Sequence, residues 1–297
     1  MTLLIGSLQL GFLYGILALG IYISFRILST PDLTTEGSFS FGLAVSAAVT
    51  AMGHPILALP AAILAGALAG AVTGLLQTKL LIHPILSGII TMSGLYSINL
   101  FVLGGASNLS LVRTDTIFKI MPLLTKDQAM TVLSIAAALI CLVLLIVFFK
   151  THLGMCIRAV GDNEDMVRAS SINTDGCKIL AFCVSNGLIA LSGGLIAQYQ
   201  GYADISSGTG ILVVGLASVI IGEAFFGRRS VSVGFVSAIV GSIVYRYIIA
   251  LATRYSPLPA YMLKLVSALI VALALALPAF RFYAGRAKQK RGGDRNA

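Results

Sequence analysis

The chain has 297 residues, of which 58% are hydrophobic and only 10% charged, with a formal net charge of +9. A water-soluble domain carries roughly 25% charged residues, so a soluble globule of this size is excluded and the chain reads as an integral membrane protein. Its apolar runs are long and mostly uncharged, which excludes barrel strands, and its basic residues fall between and after those runs, where they set orientation in a bilayer rather than bind nucleic acid.

A span needs about 20 apolar residues. In chain order the candidates are 3–28, 37–53, 56–80, 84–104, 130–149, 178–200, 210–226, 231–252 and 261–280, which predicts an all-α polytopic bundle of about nine helices. The first run lacks a basic start, so it reads as a retained helix rather than a signal peptide. The runs at 37–53 and 210–226 are short and rich in Gly and Ser, and are expected to be tilted, broken or partly re-entrant. The 31 glycines suit close helix packing in lipid.

Orientation follows from Lys and Arg. With the 150–177 loop and the C-terminal tail on one side, that side holds 14 of the 20 basic residues, among them Arg26, Lys79, Lys150, Arg228 and Arg229. The other side holds Arg113, Lys119, Lys126, Arg246, Arg254 and Lys264. The richer side is expected to be cytoplasmic, so the N-terminus faces out. The basic tail, 281–297, faces in as a solvated charge run.

Two segments resemble each other. Asp32-Leu33-Thr34-Thr35-Glu36-Gly37 and Asp204-Ile205-Ser206-Ser207-Gly208 each follow a long span and precede a short Gly-rich one. On the expected topology they run in opposite senses, so 3–104 and 178–280 would form an inverted-topology repeat, an arrangement common in transporters. Asp, Ser and Thr here serve as helix N-caps. Short helices that start at depth also line pathways, which makes Asp32, Thr34, Thr35, Glu36, Asp204, Ser206 and Ser207 the candidate pathway residues. Gln9, Asn99, Asn186 and Gln198 are expected to hydrogen-bond between helices. Glu223 and Arg246 are expected to snorkel or pair near span ends.

Between the fifth and sixth spans lies a charged island, Arg158-Ala159-Val160-Gly161-Asp162-Asn163-Glu164 followed by Arg168-Ala169-Ser170-Ser171-Ile172. Asp162 or Asn163 can cap a helix with Glu164 and Asp165 in its first turn, where negative charge is favoured. That predicts a short surface helix to about Ser171, suited to meet a soluble partner. Cys141, Cys156, Cys177 and Cys183 show no paired spacing and are expected to be reduced thiols. No G-x-x-x-x-G-K-[ST] phosphate loop is present, so ATP is not bound here by that motif. No H-E-x-x-H or G-x-S-x-G occurs, and His54, His83 and His152 lie at span edges or in a loop, so no catalytic residue and no metal site are expected.

Gly154-Met155-Cys156-Ile157-Arg158-Ala159-Val160-Gly161-Asp162-Asn163 resembles the G-x-x-x-R-A-v-G-d-N pattern of permease subunits of ATP-binding-cassette importers for branched-chain amino acids and sugars. Ser171-Ile172-Asn173 with Lys178, and the 32–37 segment, are similar to that family too. The resemblance implies a single permease domain over 1–280. It implies no cofactor in this chain, ATP being held by a separate ATPase subunit. The partners would be that ATPase, an extracytoplasmic substrate-binding protein and a second permease copy, in a bacterial inner membrane. It also makes the 158–172 segment the coupling helix, with Arg158, Gly161, Asp162, Asn163, Glu164 and Arg168 at the ATPase. The version Gly222-Glu223-Ala224-Phe225-Phe226-Gly227-Arg228-Arg229-Ser230 looks like uncharacterised or tryptophan-type amino-acid permeases, which favours an amino acid over a sugar and moves the expectation away from branched-chain substrates. The alternative reading is an ion-coupled carrier using Asp32, Glu36 or Asp204.

Overall fold

The computed structural model describes residues 2–112, 114–119, 126–227 and 230–255, with isolated positions beyond. The expected ninth span at 261–280, the tail at 281–297, Arg113, Arg228, Arg229 and Lys264 lie outside the described residues.

The chain is helical almost throughout. Helix α1 (Thr2–Tyr22) continues into a π turn, Ile23–Ile27. Then come α2 (Thr34–Ala51), α3 (Ala58–Thr78) and α4 (Pro84–Val102), a short strand β1 (Asn108–Ser110), and α5 (Lys126–Phe148). A helix pair, α6 (His152–Asp162) and α7 (Glu164–Ala169), leads to α8 (Thr174–Gln200). Strand β2 (Tyr202–Asp204) and a 3-10 turn (Ile205–Gly208) precede α9 (Ile211–Phe226) and α10 (Val231–Tyr255).

Seven of these helical stretches are long and apolar enough to cross a membrane. The expected span at 37–53 is a helix, α2, but it falls outside that group: Ser38, Ser40, Ser46 and Thr50 dilute its apolar content, and most of it is buried by its neighbours instead of by lipid. Helix α8 starts four residues earlier than expected, because the Asn173 side chain accepts the Gly176 N–H and caps it.

Helix α8 is the axis of the bundle, flanked by α1, α2 and α3; α4 packs on α2, α9 and α10 pack on each other and on α1, and α5 lies against α1. Small residues let these backbones approach. A Cβ on Gly66 or Gly70 of α3 would fall on the Asn186 or Phe182 carbonyl of α8. Hydroxyls then tie helix to helix: Ser185 Oγ donates to the Gly20 carbonyl at 2.8 Å and Ser192 Oγ to the Leu13 carbonyl at 2.8 Å. The core between them is apolar, including Leu13, Ile16, Leu17, Phe39, Phe182 and Phe235, all essentially inaccessible.

The basic residues gather as their contacts require. At one end of the bundle Lys79 pairs with Asp175, Arg26 with Glu223, and Gly161 rests on Ile27. At the other end β1 pairs antiparallel with β2, Asn108 opposite Asp204, and Gln9 meets Asp127, Thr131 and Tyr199.

Candidate functional site

Helix α2 is recessed. Its flank on α8 runs from Asn186, which meets Asp32, through Ala190 beside Gly42 to Gly194, whose carbonyl accepts from Ser46 Oγ. Asn186 lies 12 residues into α8, about 18 Å from that helix's start at 1.5 Å per residue. Asp32 therefore sits deep in the bundle, not near a span end as the sequence suggests. The chain leaves the π turn, climbs back inside and only then begins α2.

Asp32 is 3% exposed. Its Oδ1 accepts the Thr34 N–H at 2.9 Å and its Oδ2 accepts Asn186 Nδ2 at 2.8 Å. Thr35 Oγ1 donates to the Asp32 carbonyl. Thr34 Oγ1 lies 2.7 Å from Thr73 Oγ1, which donates to Thr91 Oγ1 at 3.1 Å. Three of the seven candidate pathway residues, Asp32, Thr34 and Thr35, are thus consumed in a buried network joining α2, α3, α4 and α8.

Glu36, one helical turn on, faces elsewhere. Its Oε1 accepts the Gly210 N–H at 2.9 Å, and Ser40 Oγ donates to the Ile205 carbonyl at 2.9 Å. The 205–210 segment therefore descends along α2 before α9 begins, so α9, like α2, starts inside the bundle. Gly210 makes that turn with φ at +82°, a backbone region glycine occupies without strain. Asp204 caps the segment locally: its Oδ1 accepts the Ser206 N–H at 2.9 Å and its Oδ2 the Ser206 hydroxyl at 2.8 Å. Asp32 and Asp204 make the same bond to the N–H two residues ahead, although one leads straight into a helix and the other into a 3-10 turn.

A cavity of about 400 Å³ opens where α2, α4 and the 205–209 segment meet. Glu36 and Ser40 line it from α2, Met92, Ser93, Tyr96 and Asn99 from α4, and Ile205, Gly208 and Thr209 from the descending segment. Asn99 borders the cavity yet is 1% exposed, and its Oδ1 is buried without a hydrogen-bond partner. Gln9 bonds between helices as expected, to Thr131 of α5, and Gln198 does so to Ser46 Oγ of α2, besides the Pro55 carbonyl and the Ile117 N–H; Asn186 instead bonds Asp32 in the loop ahead of α2. Asn99 departs from that group. Ser40, Ser93 and Asn99 are not among the pathway candidates that the sequence offers; the trace on α4 is polar residues at helical spacing (Ser93, Tyr96, Asn99), which alone resembles ordinary packing.

The charged island forms two helices rather than one. Asn163 breaks them: its side chain accepts the Met166 N–H at 3.0 Å and caps α7, which ends at Ala169, not Ser171. Cys156, Ile157 and Val160 face inward, while Leu153, Met155, Arg158, Asp162, Asp165 and Met166 are exposed. Glu164 is tied back, accepting from Arg168 at 3.1 Å and Lys178 at 2.5 Å, so it fixes α7 to α8. The result is a mixed apolar and charged face beside the helices long enough to span lipid. Glu223 is paired within the bundle, its carboxylate 2.5 Å from Arg26, and Arg246 lies 3.5 Å over the Tyr14 ring. All four cysteines are free thiols.

Residues 3–275 match the family described as branched-chain amino acid transport system / permease component. The chain is similar to the tyrosine transport system permease protein of Clostridioides difficile (strain R20291), 39% identical over 93% of this chain and 91% of that protein. It is also similar to the uncharacterized protein RP368 of Rickettsia prowazekii (strain Madrid E), 34% identical over 76% and 79%. A more distant relative is the autoinducer 2 import system permease protein LsrC of Yersinia enterocolitica, 28% identical over 63% of this chain and 49% of that protein. No solved structure matches.

Proposed function

This chain belongs to the family of permease components of branched-chain amino acid transport systems, a multi-pass membrane protein, and from that premise we propose that it is the membrane-spanning subunit of an ATP-driven importer for an amino acid. The tyrosine transport permease at 39% identity supports an amino acid before a sugar. A separate ATP-binding-cassette subunit docks on the exposed face of α6 and α7, an extracytoplasmic binding protein delivers solute, and a second permease copy completes the path. The docking end faces the cytoplasm and the paired β1 and β2 face out. The two recessed helices, α2 and α9, are the counterparts of an inverted repeat, and the cavity on Glu36, Ser40 and Asn99 belongs to the translocation path.

The observation that carries this reading is the α6–α7 face: Leu153, Met155 and Met166, each more than half exposed, interleaved with Arg158, Asp162 and Asp165 outside the lipid-spanning helices. Apolar side chains ringed by charge mark a protein interface. The test is a tagged pull-down from mild detergent in the native host. A co-purifying P-loop ATPase that is lost in the double variant Asp162→Lys, Met166→Glu, while the permease stays monodisperse, supports the proposal. A well-folded chain that brings down no ATPase refutes it.

A second reading keeps one specific support. The depth of Asp32 is what an ion-coupled carrier needs of a carboxylate. Uptake into ATP-free vesicles driven by a proton or sodium gradient would establish it.

A further inference from the structure

Helix α1 does not end as an α-helix. Over Ile23–Ile27 it widens to a π turn, with the Leu28 N–H donating to the Ile23 carbonyl at 2.9 Å and the Thr30 N–H to the Ser24 carbonyl at 3.0 Å. A π turn is rare inside a helix but ordinary at a helix C-terminus, so its meaning here lies in what touches it. Two contacts converge on this one. From outside the bundle, α6 presses on it: a Cβ on Gly161 would overlap the Ile27 carbonyl oxygen and approach Leu28 Cα, so backbone meets backbone. From inside, Arg26 of the turn reaches α9 and donates from Nη2 to Glu223 Oε2 at 2.5 Å. The Glu223 side chain is 9% exposed and that of Arg26 25%, and Arg26 Nε is buried with no acceptor.

Extended ridges of side chains can absorb a displacement; a backbone-to-backbone contact cannot. A shift of α6 must therefore move Ile27. The π turn is the one part of α1 whose hydrogen-bond register already departs from the α-helix, so it is where a shift is taken up without breaking the buried upper helix. The ion pair then carries the shift to α9, whose first residue follows the Gly210 N–H held by Glu36 in the cavity wall. We propose that the π turn and the Arg26–Glu223 pair are the positioning link between the docking face and the cavity, so that movement of α6 repositions α9 through Ile27, Arg26 and Glu223. This rests on the importer reading and adds to it the residues through which docking reaches the path.

The experiment uses the intact importer reconstituted with its ATPase and binding protein, and measures uptake of labelled L-tyrosine, the solute named for the similar permease, together with ATP hydrolysis in the same vesicles. Glu223→Gln and Arg26→Gln should keep the ATPase bound and hydrolysing while uptake per ATP falls by about tenfold or more. The exchange Arg26→Glu with Glu223→Arg should recover most of that ratio. A merely structural pair would lower yield or thermal stability without changing the ratio. An unchanged ratio in well-folded Glu223→Gln overturns the proposal. Should the neutral variants fail to fold, the exchange decides: a folded exchange variant with a restored ratio supports the link, and one with a lost ratio overturns it. Failure of the parent reading looks different, since the wild-type chain then binds no ATPase at all. If the wild type hydrolyses ATP but takes up no L-tyrosine, the same ratio is read with the amino acid that the binding protein retains.

Discussion

Replacing Asp32 separates a scaffolding carboxylate from an ion-handling one. Asp32→Ala removes two acceptors at once. The Thr34 N–H, in the first turn of α2, has its acceptor in Asp32 Oδ1, so it is left buried without a partner, at about 1–3 kcal/mol. Asn186 Nδ2 keeps its bond to the Phe182 carbonyl and loses only the one to Oδ2, about 1 kcal/mol more. The sum, about 2–4 kcal/mol, is a large fraction of a typical protein's stability. Asp32→Asn is far milder. It retains an oxygen for Thr34 and turns an NH2 toward Asn186, whose own Oδ1 has no partner and accepts it after an amide flip. That flip gives up the bond to Phe182, about 1 kcal/mol. The assay is thermal unfolding in detergent followed by size exclusion, beside ATP-driven uptake in proteoliposomes. The expected outcome is a strongly destabilised Asp32→Ala and an Asp32→Asn that folds and transports. A stable Asp32→Asn that does not transport would refute the scaffolding role and shift weight to the ion-coupled carrier.

Three other outcomes follow from the same geometry. Gly66→Leu drives a side chain into the Asn186 carbonyl and the Ala190 Cβ, an overpacking expected to cost about 1–3 kcal/mol or more; monodisperse yield should fall sharply, and a normal yield would show that α3 and α8 are not held at this distance. Asn99→Leu should leave thermal stability unchanged, because its Oδ1 bonds nothing, while raising the solute concentration needed for half-maximal uptake; unchanged uptake would place the path outside this cavity. Glu164→Ala removes two partly exposed ion pairs and should shift stability by less than about 1 kcal/mol, read by thermal unfolding; a much larger loss would mean that α7 depends on Lys178 and Arg168 to stay folded.

The sequence by itself determined what local physics controls. Ten per cent charge in 297 residues required a membrane for a solvent, and apolar run length placed the described long helices within a few residues of where they stand. Side-chain capping is a short-range bond, so Asp162 or Asn163 could be marked as a helix start, and Asn163 is the one that caps. The polar character of 37–53 was equally visible and explains why α2 is shielded by helices instead of lipid. Depth was not visible. In sequence Asp32 stands at a span end because it precedes a span, yet its partner is Asn186, 154 residues away, and the chain climbs back into the bundle to meet it. Glu223 and Arg26 are 197 residues apart and become a pair only because α1 and α9 are packed together. The cavity depends on two helices that both start inside the bundle, with Glu36 joined to Gly210 across 174 residues. Composition and periodicity act within a turn or two of helix; how far a helix is sunk, and which polar atom is left without a partner, is settled only when all the helices compete for the same interior.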